Sequence, residues 1–172
     1  AIVSTMSGGY VSMMGDASAY PVRGTIAVMS NGTFAQNGAY AYGTVNTMSG
    51  GIQNISNGYG TITSMLGGSQ YVTAGTGWVV TLSGSSARQY VSGGYGRVDA
   101  MYGADNFQTV FGGIGSVGTL FSAAGQHVSG GTGIVYLIGL SGGGWQWIQS
   151  TGAVGSIRTV LGSATGGLQH VH

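Results

Sequence analysis

The stretch GGIQNISNGYGTITSMLGGSQYVTAGTG, residues 50–77, contains one short phrase twice. Its first half reads Gln53-Asn54-Ile55 and then Gly60-Thr61-Ile62, and its second half reads Gln70-Tyr71-Val72 and then Gly75-Thr76-Gly77. Self-similarity at a fixed spacing is the sequence signature of repeat architectures. The stretch therefore predicts that the same phrase organises the rest of the chain.

The phrase does recur from end to end, with successive copies 17–23 and mostly 17–19 residues apart. A copy has an apolar residue in a Gly-x-[Val/Ile] unit and a second apolar residue three positions later, and in seven copies a Gln-x-[Val/Ile] unit follows. The first apolar positions, counting an incomplete first copy, are Val3, Ile26, Val45, Ile62, Val79, Val98, Val117, Val135 and Ile157. The second are Met6, Met29, Met48, Met65, Leu82, Met101, Leu120, Ile138 and Val160. The glutamines are Gln53, Gln70, Gln89, Gln108, Gln126, Gln146 and Gln169.

The apolar positions are rich in β-branched residues and are interrupted by Gly-Gly, Ser-Gly and Asn-Gly pairs, which favours short strands over helices. We expect strands of three to five residues with glycine at the corners. Equivalent strands stacked about 4.8 Å apart would give a rod on the order of 40 Å long. The sequence predicts one all-β domain over residues 1–172, a parallel β-solenoid of about nine short coils.

Side-chain alternation along a strand predicts where the glutamine lies. If Val72 points inward, Gln70 does too, and Tyr71 points outward. A buried amide without a partner costs a few kcal/mol, but identical amides one coil apart can hydrogen-bond as a ladder. The three-residue step from Val45 to Met48 has the wrong parity for one flat strand, so we expect a corner between them.

The composition limits the classes of function. Glycine accounts for 37 of 172 residues, yet 42% of residues are hydrophobic, which indicates a folded chain. The four Arg/Lys and three Asp/Glu residues give a net charge of +1, which makes nucleic acid an improbable partner and favours association. No apolar stretch approaches the roughly 20 residues of a membrane span, and no cysteine is present.

Four segments carry a family resemblance: TMSGGIQNISNGYGT at 47–61, LGGSQYVTAGTG at 66–77, RQYVSGGYG at 88–96 and GQHVSGGTG at 125–133. They resemble the Ser-Gly-Gly repeats of AIDA and antigen 43-type autotransporter adhesin passengers, clearly from about Gly43 to Gly131 and more loosely on both sides. The resemblance implies a right-handed parallel β-helix, export across the bacterial outer membrane to the cell surface, and a role in adhesion, self-association or biofilm formation. It also implies candidate glycosylation sites on repeat serines, here Ser49, Ser56, Ser92 and Ser129.

Two departures from the family pattern stand out. The copies near Asp16 and Trp145 are irregular, and the 172 residues include no stretch that we expect to form the family's translocator barrel. We expect either a fragment of a longer passenger or a stand-alone surface protein, including a self-assembling fibre subunit.

The charged residues offer one candidate catalytic group. Arg97 and Asp99 lie two residues apart, with Asp105 in the following turn and Asp16 far along the chain. A carbohydrate-active β-helix needs several acids or a calcium cluster on one face, and this set is too sparse. We expect a surface ion pair between Arg97 and Asp99, no catalytic residues, no cofactor and no enzymatic activity.

The histidines do not predict a metal site. His127 and His170 lie at least two coils apart, too far to share one ion. His170 and His172 lie closer, at a terminus that we expect to fray.

The middle residue of Gln-x-[Val/Ile] should form an outward column that is partly aromatic. Exposed rings at the coil spacing could contact sugars or a second rod, or could merely stabilise the sheet. The threonines that recur as the middle residue of Gly-x-[Val/Ile] would suit ice binding. In other coils, however, Trp78, Arg97 and Ile134 stand at this position. The outward column consists of Asn54, Tyr71, Tyr90, Thr109, His127, Trp147 and His170.

Overall fold

The protein is described by a computed structural model that covers residues 1–15, 21–139, 144–149 and 152–161, with the backbone alone for 168–171. It confirms the predicted parallel β-solenoid: two nine-stranded parallel sheets run along the molecule, and consecutive strands of one sheet are one coil apart. Within these ranges no helix has the length and apolarity that crossing a membrane would need.

One sheet, the long-strand sheet, holds the Gly-x-[Val/Ile] units. Its strands are β1 (Ile2–Met6), β3 (Val22–Met29), β5 (Ala41–Met48), β7 (Tyr59–Met65), β9 (Thr76–Leu82), β11 (Tyr95–Tyr102), β13 (Ile114–Phe121), β15 (Thr132–Ile138) and β17 (Val154–Val160). Its hydrogen-bonded order follows the chain from β1 to β17.

The second sheet, the short-strand sheet, holds the Gln-x-[Val/Ile] units in strands of four residues. They are β2 (Tyr10–Met13), β4 (Thr33–Gln36), β6 (Ile52–Ile55), β8 (Ser69–Val72), β10 (Arg88–Val91), β12 (Phe107–Val110), β14 (Gly125–Val128), β16 (Trp145–Ile148) and β18 (Leu168–Val171).

The register places equivalent residues of the repeat side by side, as the fixed spacing predicts. Gln70 pairs with Gln53 and with Gln89, and Val98 pairs with Val79 and with Val117. Loop length differs between copies without disturbing this pairing. The variation from 17 to 23 residues is therefore absorbed at the corners.

The expected corner between Val45 and Met48 is a bend inside β5 and not a break between two strands. The pairing of β5 with β7 runs through Val45 and Ile62, omits Asn46, and resumes at Thr47. The omitted residue, the bend position, resets the side-chain parity, so Val45 and Met48 are both buried. The long strands consequently reach eight residues, longer than the three to five expected.

The interior is a continuous apolar core along the axis. The first and second apolar residues of the long strands β3 to β15 belong to the larger buried cluster, which includes Val45, Met48, Val98 and Met101. The last residues of the short strands β10 to β16 form a smaller one, which consists of Val91, Val110, Val128 and Ile148. One coil is too thin to enclose either cluster, so each coil needs its neighbours to bury its apolar residues.

Glycine has two separate tasks in the coil. At the corners, Gly94 and Gly113 have φ angles of 72° and 71°, a conformation that disfavours residues with a Cβ. In the long strand, Gly96 lies against the opposite sheet, where a Cβ would come within 2.2 Å of Cγ2 of Val91. The glycine of Gly-x-[Val/Ile] therefore permits close contact between the two sheets and does not form a corner.

Candidate interaction surfaces

The buried glutamines form a one-directional ladder. Nε2 of Gln70 donates to Oε1 of Gln53 at 2.6 Å, and Nε2 of Gln89 donates to Oε1 of Gln70 at 2.6 Å. The same bond joins Gln108 to Gln89, Gln126 to Gln108 and Gln146 to Gln126, at 2.5–2.6 Å. The side chain of Gln169 lies outside the described residues.

Each amide in the middle of the ladder also bonds to the long-strand sheet. Nε2 of Gln108 donates to the carbonyl oxygens of Gly96 and Ser116, both at 3.2 Å. The glutamine therefore bridges the two sheets as well as consecutive coils. Its role in the described structure is architectural.

The ladder ends where the repeat departs from its consensus. Phe34 occupies the glutamine position of β4 and pairs with Gln53, while Gln36 occupies the valine position and pairs with Ile55. As a result, Nε2 of Gln53 and both polar side-chain atoms of Gln36 are buried without a hydrogen-bond partner in the structure. Burying such groups opposes folding.

The predicted outward column is present on the short-strand sheet. Tyr71 stacks on Tyr90 with ring centroids 4.8 Å apart, and His127 meets Trp147 edge-on at 5.3 Å. The pairing runs from Asn54 through Tyr71, Tyr90, Thr109 and His127 to Trp147. Tyr71 and Trp147 are 37% and 39% exposed. The side chain of His170, next in the column, lies outside the described residues.

A second column lies beside the first, formed by the first residue of each short strand, and it carries the rings of Phe107 and Trp145. Phe107 and Trp145 contact at 5.6 Å although Gly125 separates them in the register, because the indole lies over that glycine. Arg88 covers the other side of Phe107 at 5.7 Å and bonds to the Tyr90 hydroxyl, which raises the pKa of Arg88. The sequence pattern gave no sign of this contact, since it depends on the missing side chain of Gly125.

The rings of these two columns form one surface, the short-strand face. Its residues are Tyr71, Tyr90, Phe107, His127, Trp145 and Trp147. Among the described residues of the short strands, Arg88 is the one side chain with a formal charge. The face is therefore broad, aromatic and nearly free of charge.

Stacked rings also occur elsewhere along the solenoid. Tyr42 and Tyr59 stack at 5.0 Å on the long-strand sheet, and Tyr102 and Phe121 stack at 4.7 Å where the long strands end. Cross-strand aromatic pairs of this kind stabilise neighbouring strands. Stacking is thus a general means of joining coils. Tyr59 and Tyr102 are at least as exposed as Tyr71 and Trp147, so low charge is what distinguishes the short-strand face.

The candidate glycosylation serines lie at two corners of the coil. Ser56, Ser92 and Ser129 directly follow short strands, whereas Ser49 directly follows the long strand β5. Ser49, Ser56 and Ser92 are exposed and Ser129 is half-buried. The Ser56 hydroxyl donates to Oδ1 of Asn37 in the preceding coil at 2.9 Å. Modification of these serines stays a prediction.

The expected surface ion pair is present on the long-strand sheet. Nε of Arg97 lies 2.5 Å from Oδ1 of Asp99, and the Trp78 indole donates to Oδ2 of Asp99 at 2.9 Å. The guanidinium also covers the Trp78 ring at 5.4 Å. The hydrogen bond to Asp99 raises the pKa of Arg97, which stays cationic at any working pH. Asp16 lies outside the described residues.

Among the described residues, no three His, Cys, Asp or Glu side chains come together in a way that could hold a metal ion. His127 instead bonds to Oε1 of Gln149 at 2.8 Å. His172 lies outside the described residues.

A comparison of the chain with protein-family models, with curated proteins and with solved structures finds no match. The resemblance to AIDA and antigen 43-type repeats stays a prediction from the quoted segments.

Proposed function

We propose that this chain is a non-enzymatic structural rod of a bacterial cell surface that acts in adhesion through lateral self-association. The observation that carries the proposal is the short-strand face, which presents two exposed and four half-buried rings and one formal charge in its described strands. Exposed apolar patches of this kind mark interaction sites in proteins.

The low charge of the chain supports association between copies. A net charge of +1 from seven charged residues gives little repulsion between two rods. Burial of an aromatic face against a second rod removes apolar area from water at a small entropic cost, because these side chains have few rotatable bonds. The exposed rings of Tyr71 and Trp147 are the first candidates for such contacts.

Repetition converts weak contacts into useful affinity. Each coil presents the same backbone geometry, so a second rod aligned with the first meets several contact groups at one spacing. Once the first contact forms, the others become intramolecular, and their effective concentration rises. The repeat resemblance given above supports the cell-surface location.

The test is sedimentation velocity over a roughly hundredfold range of concentration, beginning near the micromolar affinity expected of weak surface contacts. We expect growth into larger species in the wild-type chain. The double variant Y71T/W147T should shift this growth to higher concentration, since threonine already occupies the same column at Thr109.

The matched control is Y59T/W78T, which removes a tyrosine and a tryptophan from the long-strand sheet at positions paired with Thr76 and Thr61. It should associate like the wild type. Equal weakening in both double variants would place the contact off the short-strand face. A monomer at every concentration would refute self-association and leave surface glycans as ligands of the outward column.

A further inference from the structure

A cleft on the long-strand sheet lies opposite the short-strand face and has a different chemistry. It has a volume of about 210 Å³ and is lined by Tyr95, Arg97, Ser116, Gly118 and Tyr136. The proposed self-association involves none of these residues. The volume is below the roughly 300–1,000 Å³ of sites for drug-sized ligands, so the cleft suits a ligand of a single ring.

The cleft exists because one side chain is missing from the column of bend positions. That column runs Asp99, Gly118, Tyr136 and Arg158 in consecutive coils, each between register-paired residues. Arg158 covers the Tyr136 ring at 4.7 Å. Gly118 is the other neighbour of Tyr136 in the column. Because glycine has no side chain, the face of the Tyr136 ring toward Gly118 is open to the cleft.

The polar groups of the cleft supply both donors and acceptors. The Tyr95 and Ser116 hydroxyls bond to each other at 2.8 Å, and either can donate. Arg97 uses Nε for Asp99, and its two terminal amino groups make no hydrogen bond within the described part of the chain. These amino groups form a planar pair of donors that can bind two adjacent oxygens.

The charge of the site is balanced. Asp99 already neutralises Arg97, so a carboxylate or phosphate ligand would have to compete with it. A neutral pyranose ring avoids this competition. Its C–H face can lie on an aromatic ring, and its neighbouring hydroxyls both donate and accept.

We propose that this cleft binds one neutral saccharide ring, with Tyr136 as the platform and Arg97, Ser116 and Tyr95 as hydrogen-bonding partners for the hydroxyls. The proposal goes beyond self-association and does not depend on it. It assigns a ligand-binding role to the coils in which Arg97 and Ser116 replace threonine as the middle residue of Gly-x-[Val/Ile].

Trp78 provides a local reporter, because Arg97 covers its ring and Asp99 accepts its indole hydrogen. In the double variant W145F/W147F, Trp78 is the remaining tryptophan of the chain, and two indole rings of the short-strand face are replaced by phenyl rings. Its fluorescence can be titrated at micromolar protein, where association between rods is least. The probes are the methyl glycosides of glucose, galactose, mannose and N-acetylglucosamine, with glucuronate as the anionic comparison.

At least one neutral glycoside should change the Trp78 fluorescence with saturation below about 50 mM, a weak affinity suited to one ring. R97M and Y136T should each weaken this binding about tenfold or more, the loss expected for a charged hydrogen bond or an aromatic contact. Arg97 is 53% exposed and Thr63 already occupies the bend position of β7, so both variants should fold.

Y59T, on the long-strand sheet two coils before the cleft and paired with Thr76, should leave the affinity unchanged, and W78F in the otherwise wild-type chain should lose the signal. The absence of a response to all four neutral glycosides would overturn the proposal. So would tighter binding of glucuronate, or equal weakening by Y59T and R97M. Self-association is read separately by sedimentation, so the two proposals can fail independently.

Discussion

At the scale of single residues, the glutamines of the described ladder share full burial but not the same hydrogen bonding. Gln89 donates to Gln70 and to two backbone carbonyls, and accepts from Gln108. Gln53 accepts from Gln70, and its own Nε2 has no partner. Two identical side chains in one column therefore contribute differently to stability.

Replacement by methionine, which has a similar shape, should reveal this difference. Q89M leaves Oε1 of Gln70 buried without its donor and removes the bridge to the long-strand sheet, so we expect a loss of about 2–4 kcal/mol in the free energy of unfolding. Q53M removes an amide that is already half unpaired and should cost about 1–2 kcal/mol less. Chemical denaturation of both variants measures the difference. Equal losses would show that the ladder bonds do not stabilise the fold.

At the scale of the strand, the glycine of Gly-x-[Val/Ile] fixes the distance between the two sheets. We expect G96A to destabilise the protein by about 2 kcal/mol or more, because the new methyl group overlaps Cγ2 of Val91. The double variant G96A/V91A should recover part of this loss, because alanine at position 91 makes room for the new methyl group. The recovery is partial because the smaller side chain also buries less apolar surface. G8A is the control, since nothing lies within 4 Å of a Cβ at Gly8. Thermal unfolding of these three variants, of V91A alone and of the wild type measures the losses, and additive losses in the double variant would contradict a steric cause.

The strands also show how far the sequence alone leads. Alternation around Val72 was enough to place Gln70 inside and Tyr71 outside, and the parity of Val45 and Met48 was enough to predict an irregularity between them. The role of Gly96 was not predictable in this way. Glycine is common both in turns and at close contacts, and only the opposing Val91 distinguishes the two.

The candidate sites were harder to predict, for a similar reason. The outward column follows from the Gln-x-[Val/Ile] register, so Tyr71 and Tyr90 could be placed together in advance. The contact of Phe107 with Trp145 and the cleft at Gly118 both depend on side chains that are absent. A sequence pattern shows which side chains are present. It does not reveal a site that forms where a glycine leaves space between two side chains of neighbouring coils.

At the scale of the whole molecule, the coil is an interchangeable unit. Duplication of residues 95–113, one complete coil, should lengthen the rod by about 4.8 Å at constant cross-section and should not lower its melting temperature. Small-angle X-ray scattering and thermal unfolding measure the two quantities. A scrambled insert of the same composition is the control and should destabilise the chain. A thicker cross-section in the true duplicate would mean that the coils are not equivalent.

The glutamine ladder also gives the rod a polarity. Every described hydrogen bond of the ladder has the same direction, from Nε2 of one glutamine to Oε1 of the glutamine in the preceding coil. The amide dipoles are therefore aligned along the axis and polarise one another, as in a chain of cooperative hydrogen bonds. A coil added on the C-terminal side must bring a donor, whereas one added on the N-terminal side must bring an acceptor. The buried ladder thus distinguishes head-to-tail from head-to-head stacking of coils, although no charged group takes part.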